Sequence, residues 1–305
     1  MPNNKKRVMR FIGVSTTNSS INKVFPKWSE LLDLNAELKS LDIPIGATPD
    51  KYRNAIEEMR NDPNCVGALV TTHKIALFTS ANDLFSSFDT FASACGEVSC
   101  VKIVDGNVEG AAKDPITAGL AIEEFLPRGY FNNCADALIF GDGGAATAIA
   151  WYLTGLADPP RKIHFFGLDS NRLDHLTKVI ICRPGSDLVT THISSAAQIS
   201  KVLDGLNPHS LIINATGMGK DIPGSPMPNG VNFPKGSVIW ELNYRGSLEF
   251  LKQAQSEALH LELTVYDGWR YFINGWSSVV AEVFDITLTP ELMVQLSEAA
   301  EIAKQ

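Results

Sequence analysis

The passage that most restricts the fold runs from Asp136 to Leu156. A short apolar strand, Asp136 to Phe140, enters Gly141-Asp142-Gly143-Gly144-Ala145, and an Ala-rich helix is predicted behind it, from Ala145 to Leu156. A strand that turns on glycines straight into a helix opens a βαβ unit, and that context makes a glycine pattern a dinucleotide fingerprint. Gly141 supplies the tight turn, and Gly143 lets the backbone approach a pyrophosphate with no Cβ in the way. Gly144 and Ala145 offer free N–H groups at a helix start, where the dipole favours an anion. The spacing is GxGGA, and Ala146 stands where a third glycine would fall. Asp142 is out of keeping, since a carboxylate beside a pyrophosphate must point away or repel it.

A strand over Lys162 to Phe166 and a helix over Leu173 to Ile180 complete the unit. Between them lies Gly167-Leu168-Asp169-Ser170-Asn171-Arg172. An acidic residue at the end of this second strand bonds the adenosine ribose, whereas an arginine accommodates a 2′-phosphate. Both types are present, so Asp169, Asn171 and Arg172 are candidate cofactor contacts. Asp169 is nearer the strand end, which leans the expectation to NAD with NADP still open. Three more buried strands are predicted at Leu211 to Asn214, Ser237 to Trp240 and Leu263 to Tyr266.

Upstream, strands are expected at Val8 to Val14, Asp42 to Gly46 and Cys65 to Thr71, and helices at Trp28 to Leu38, Lys51 to Arg60, Asp83 to Ala94 and Thr117 to Phe125. A hairpin over Val98 to Val108 turns at Asp105-Gly106. Helices are also expected over Trp269 to Phe284 and Pro290 to Ala303. Strands alternating with helices imply parallel sheets, and 305 residues exceed what one core usually serves. The expectation is an α/β chain of two domains: an N-terminal α/β substrate domain over 1–115, a Rossmann-type, doubly wound NAD(P)-binding domain over 116–265, and C-terminal helices over 266–305 returning to the first.

Composition removes other classes. Lys and Arg number 26 against 34 Asp and Glu, a net charge of −8, so a basic nucleic-acid groove is not expected. No apolar run reaches the ~20 residues of a membrane span. Five cysteines without a CxxC pair suggest reduced thiols, no metal site and a cytoplasmic protein. A small anionic ligand remains compatible with this balance.

Lys74, after a buried strand, and Asp114, ahead of the second domain, are the candidate catalytic pair. Together they can pass a proton to or from a hydroxyl while the same carbon exchanges hydride with a nicotinamide. Lys113 is as consistent with a surface charge as with an anion contact. The run Ser15-Thr16-Thr17-Asn18-Ser19-Ser20 reads as a hydroxyl-rich anion cradle. His73 is read as structural, because neighbours on an extended segment face opposite ways. The remaining histidines have no metal spacing.

Six ordered stretches then resemble the shikimate/quinate dehydrogenase family. Val70-Thr71 with Lys74 is similar to its NVTxPxK, Gly96 to Val101 to GAVNTV, and Gly110 to Asp114 to GxNTD. Gly141 to Ala145 is similar to GAGGA, Ile213 to Met218 to INATPxGM, and Asp267-Gly268 to DGxxMLxxQ. The resemblance implies reversible oxidation of a ring hydroxyl in a small anionic cyclic acid such as shikimate or quinate, with NAD or NADP. It makes Lys74 catalytic with Asp114 as its partner and Thr71 a substrate contact. It places Asn214, Ala215, Thr216 and Met218 along the nicotinamide and Tyr244 at the substrate. A monomer or homodimer is expected.

The departures fall in the substrate grip. VTxPxK has become VTTHK, Ser99 replaces the asparagine of GAVNTV, and Ala112-Lys113 replaces the Asn-Thr before Asp114. The last glutamine falls on Gly275, with Asn274 beside it. Of two serines expected to hold a carboxylate, Ser19 matches the first, Ile21 occupies the second, and Ser15 lies in the same loop. A site built for hydroxyls discriminates by ~4 decades against ligands lacking them. These exchanges leave open an altered, for example aminated, ring or a non-catalytic dinucleotide-binding regulatory protein.

Overall fold

The computed structural model describes residues 5–220 and 222–304. They divide into two compact units: residues up to Asp114 together with those from Ile273 onward, and Pro115–Phe272. Helix α10 runs through the second boundary.

In the first unit the elements are β1 (Arg7–Gly13), α1 (Ile21–Leu31), β2 (Ala36–Asp42), α2 (Pro49–Asn61), β3 (Cys65–Val70), α3 (Lys74–Ala81), β4 (Ser87–Phe88), α4 (Thr90–Cys95), β5 (Cys100–Val104) and β6 (Asn107–Ala111). They form one mixed sheet in the order β2-β1-β3-β5-β6-β4. The first three strands are parallel, while β5 returns antiparallel to β3 and pairs with β6 as a hairpin. Asp105 and Gly106 both have positive φ, as a tight two-residue turn requires. Buried Ile12, Ile56, Met59, Ala68, Val70 and Leu77 belong to its core.

The second unit holds α5 (Asp114–Glu123), β7 (Ala137–Phe140), α6 (Gly144–Leu153), β8 (Ile163–Gly167), α7 (Ser170–Ile180), β9 (Val189–Ile193), α8 (Ala196–Leu203), β10 (Leu211–Asn214), β11 (Val238–Glu241), α9 (Glu249–Leu261) and β12 (Thr264–Tyr266). Its six strands are all parallel, in the order β9-β8-β7-β10-β11-β12. The central strands β7, β10 and β11 are buried at every position because apolar clusters cover both faces of this sheet. Alanines at 146, 148 and 150 let α6 pack closely there. The last helices are α10 (Trp269–Phe284) and α11 (Pro290–Ala300). Within the first unit α11 lies against α1, where the Trp28 indole donates to the Leu296 carbonyl at 2.8 Å.

Several elements differ from expectation. The helix expected over Trp28 to Leu38 starts at Ile21, running through Pro26, and ends at Leu31. Residues 36–42 are instead strand β2, so the strand expected over 42–46 shares only Asp42 with it, and 43–46 are not strand. The helix formers Ala36, Glu37, Leu38 and Lys39 are overridden there by edge pairing with β1. The stretch 83–94 is broken into a 3₁₀ turn, β4 and the short α4, which Asp89 caps by accepting from the Ala92 amide at 2.7 Å. Lys74 opens helix α3, and β9, α8 and α9 join the elements foreseen.

Candidate active site

Parallel strands deliver the residues that follow them to one edge of a sheet, and in the first unit these residues carry the polar side chains. The Thr71 amide donates to the Ile12 carbonyl at 2.9 Å, which ties the end of β3 to that of β1. The antiparallel β5 begins where β3 ends, so the Val70 amide reaches the Ser99 carbonyl at 2.9 Å. The Ser99 amide in turn donates to Ala111, the last residue of β6, at 3.0 Å. This arrangement brings Thr71, Lys74, Ser99 and Asp114 together, with Ser15 and Ser19 in the loop after β1.

Lys74 Nζ donates to Asp114 Oδ2, and the two side chains are only 16% and 9% exposed. Glu97 lies near Lys74 in the fold: Gly96 ends α4 with positive φ, and the Val98 amide then bonds the Lys74 carbonyl at 3.1 Å. The Glu97 side chain is fully buried, and neither carboxyl oxygen has a hydrogen-bond partner. Burial pushes its pKa up, and the nearby Lys74 charge opposes that only in part. The sequence reading missed Glu97, although a carboxylate between Gly96 and Val98, in a segment expected to be buried, was the available signal.

Other polar groups at this edge are committed. Ser99 Oγ accepts from the Lys113 amide at 2.7 Å, and Lys113 Nζ reaches Glu282 at 2.8 Å and Asp89 at 4.0 Å, so its charge is spent within the protein. In the Ser15 to Ser20 loop, Thr16 gives both its amide and its hydroxyl to Asp42. Asp42 thus takes two of the donors this loop offers. Ser15 is exposed and Ser19 buried. His73 is structural: its Nε2 bonds the Ile43 carbonyl at 2.7 Å, which requires Nε2 to carry the proton and leaves Nδ1 to accept from Tyr52. Asn274 is buried in α10.

In the second unit the residues after the strands contribute mostly backbone. Gly141 has φ +136°, and a Cβ there would fall 2.8 Å from the Ala215 carbonyl oxygen, so only glycine fits between β7 and β10. Gly143 precedes α6, and a Cβ on it would meet nothing within 4 Å. The protein's own packing therefore does not require that glycine; it leaves open space at the helix start, as a bound pyrophosphate needs. Ala145 follows Gly144 in the first turn of α6, and both are partly exposed.

The segment after β10 is held by its own polar network. Asn214 Oδ1 accepts from the Thr216 amide and hydroxyl at 3.0 and 2.6 Å, and the Met218 amide bonds Thr216 Oγ at 3.1 Å. Glu241, at the end of β11, accepts from Asn214 Nδ2 at 2.7 Å and from the Asn243 amide at 2.8 Å. Asn243 Nδ2 closes the ring on the Thr216 and Met218 carbonyls. Burial dominates these bonds and raises Glu241 to about 7. Neither Glu241 nor Asn243 was singled out from sequence; two polar residues closing the buried run Val238 to Trp240 were the signal. Tyr244 packs on Phe272, ring centroids 4.4 Å apart.

Counted along the chain, the second sheet is ordered 3-2-1-4-5-6, with its glycine turn after strand 1, which defines a dinucleotide-binding α/β unit of the Rossmann type. No protein-family model matches the chain. It is 24% identical over 233 residues to shikimate dehydrogenase (NADP(+)) of Streptococcus gordonii, covering 75% of each chain. The structure of shikimate dehydrogenase from Aquifex aeolicus superposes with a TM-score of 0.75 at 18% identity, covering 99% of both chains. Quinate dehydrogenase from Corynebacterium glutamicum in complex with NAD gives 0.72 at 18%, covering 96% of this chain and 98% of that one. These structural likenesses speak to the fold. In sequence and in fold the chain is thus similar to shikimate and quinate dehydrogenases.

Proposed function

We propose that this protein is an NAD(P)-dependent dehydrogenase interconverting a ring hydroxyl and a ketone in a small cyclic carboxylic acid resembling shikimate or quinate. The buried Lys74–Asp114 pair carries the reading. A buried ion pair recovers little net stability after desolvation, so one kept among polar strand ends is better accounted for by chemistry. Asp114 holds and orients Nζ. Lys74 takes the proton of the reacting hydroxyl on oxidation and returns it on reduction. Thr71, Ser99 and Asn274 would bond ring hydroxyls, and Ser15 and Ser19 the carboxylate.

The nicotinamide, when bound, supplies the two-electron acceptor or donor. Gly141, Gly143, Gly144 and Ala145 would hold the pyrophosphate, and Asp169, Asn171 and Arg172 the adenosine ribose. Asn214, Ala215, Thr216 and Met218 would line the nicotinamide. The names of the relatives, one with NADP(+) and one with NAD, support dinucleotide use of either kind.

A second reading keeps the chemistry and changes the ring to an aminated one. Asp42 favours it, because a carboxylate bonded to the Ser15 to Ser20 loop suits a cationic substituent better than a second anion. The test is reduced-nicotinamide absorbance with shikimate, quinate or an aminated ring acid, each with NAD and with NADP. Turnover lost in Lys74→Ala supports the assignment, and the preferred ring separates the two readings. Nucleotide binding without turnover on any ring acid would leave a dinucleotide-binding protein and reject the dehydrogenase.

A further inference from the structure

The carboxylate that looked misplaced in the glycine turn has a specific position. Asp142 Oδ2 accepts from the backbone amides of Leu168 and Asp169 at 2.8 and 3.0 Å, directly after β8. The side chain is 14% exposed, and a Cβ on Gly167 would stand 2.7 Å from Asp142 Cβ, so Gly167 leaves the room that lets it lie there. Arg172 faces the same place, its guanidinium 3.6 Å from Asp142 and 3.9 Å from Asp169. Asp169 itself caps α7 by accepting from the Asn171 amide at 2.8 Å.

In a sheet of this order the end of the second strand meets the adenosine ribose, where a 2′-phosphate, if present, needs N–H donors and a cation. All three are present at the end of β8, and all three already face carboxylates. Two amides are filled by Asp142, and the one guanidinium stands between two acidic side chains. A phosphate arriving there meets a net negative turn and must displace Asp142 from its amides. A free ribose diol can instead donate to Asp169.

We propose that Asp142 is a specificity-determining residue that selects the unphosphorylated dinucleotide by occupying the phosphate's donors. This rests on the dinucleotide-binding reading above and deepens it. Selection by exclusion differs from selection by Asp169 alone, because it comes from the glycine turn of the preceding strand and acts through backbone amides that no substitution at 169 would free.

Calorimetric titration of the full chain with NADH and with NADPH, without substrate, tests it. Wild-type protein is expected to bind NADH at least tenfold more tightly. Asp142→Ala, which releases the amides and one charge, should narrow that ratio tenfold or more, mainly through tighter NADPH binding. Asp142→Asn keeps an acceptor oxygen on the amides and should narrow it less; it also serves if the alanine variant fails to fold by circular dichroism. Equal or preferential NADPH binding by the wild type overturns the proposal. So does an unchanged ratio in both Asp142 variants when Asp169→Ala collapses it. If folded wild-type protein binds neither nucleotide, the dinucleotide reading itself fails and takes the proposal with it.

Discussion

The two sheets use their strand ends in opposite ways. In the all-parallel sheet, glycines at 141 and 143 clear space at the ends of β7 and β10, and side chains such as Asn214 and Glu241 bond inward to stiffen the turns. In the mixed sheet, the antiparallel return of β5 and β6 brings Ser99 and Asp114 to the end of β3, so a charged pair is assembled from segments 40 residues apart. One edge works by removing side chains and the other by burying them. A glycine turn announces its purpose locally, whereas a charged pair depends on a topology that must form first.

Lys74→Ala is expected to lower turnover by about 10²–10⁴-fold, the usual contribution of a positioned acid–base group, while nucleotide affinity stays within twofold. Stopped-flow turnover beside calorimetric binding reads both. A comparable loss of nucleotide affinity would mean that the two edges do not have separate tasks.

Gly141→Val is expected to act in the opposite sense. Its side chain would meet the Ala215 carbonyl and would need a positive φ that β-branched residues avoid. The expected result is a loss of about 2–4 kcal/mol in stability, in line with steric and backbone penalties combined, together with loss of nucleotide binding. Gly143→Ala, facing open space, should leave the melting temperature near that of the wild type and weaken binding alone. Equal melting losses in the two variants would contradict the distinction between a glycine the fold needs and one a ligand needs.

Sequence legibility followed the same divide. The second unit was readable because its buried strands are short apolar runs, as in Ala137 to Phe140 and Leu211 to Asn214, each closed by a turn signal. The first unit was harder, because β2 is a half-exposed edge strand written in helix-forming residues and α1 runs through a proline. Lys74 and Asp114 stood out by motif, but Glu97 did not, since its burial arises only from packing around β5. Asp142 was visible as an anomaly in a known pattern. Its partners, two amides one strand away, became legible only with the register of β7 on β8.

The smallest effect expected separates two buried carboxyls, one in each unit. Glu241 is raised to about 7 by burial, so between its ordinary value of 4.5 and 7 the folded protein keeps a proton that the unfolded chain releases. Stability from this group is therefore full below 4.5 and falls as pH rises toward 7, by at most about 1.4 kcal/mol per pH unit. Glu97 is shifted in the same direction, but no hydrogen bond favours its ionised form. Melting temperatures of Glu241→Gln and Glu97→Gln, each subtracted from the wild type at pH 4.5, 5.5, 6.5 and 7.5, isolate the two contributions. The Glu241 difference should level off near pH 7, where the folded carboxyl ionises into the waiting Asn214 and Asn243 donors. The Glu97 difference should change with pH in the same sense, because burial favours its protonated form and only the Lys74 charge opposes that. A Glu241 difference that does not change between pH 4.5 and 7.5 would mean that burial does not raise this carboxyl.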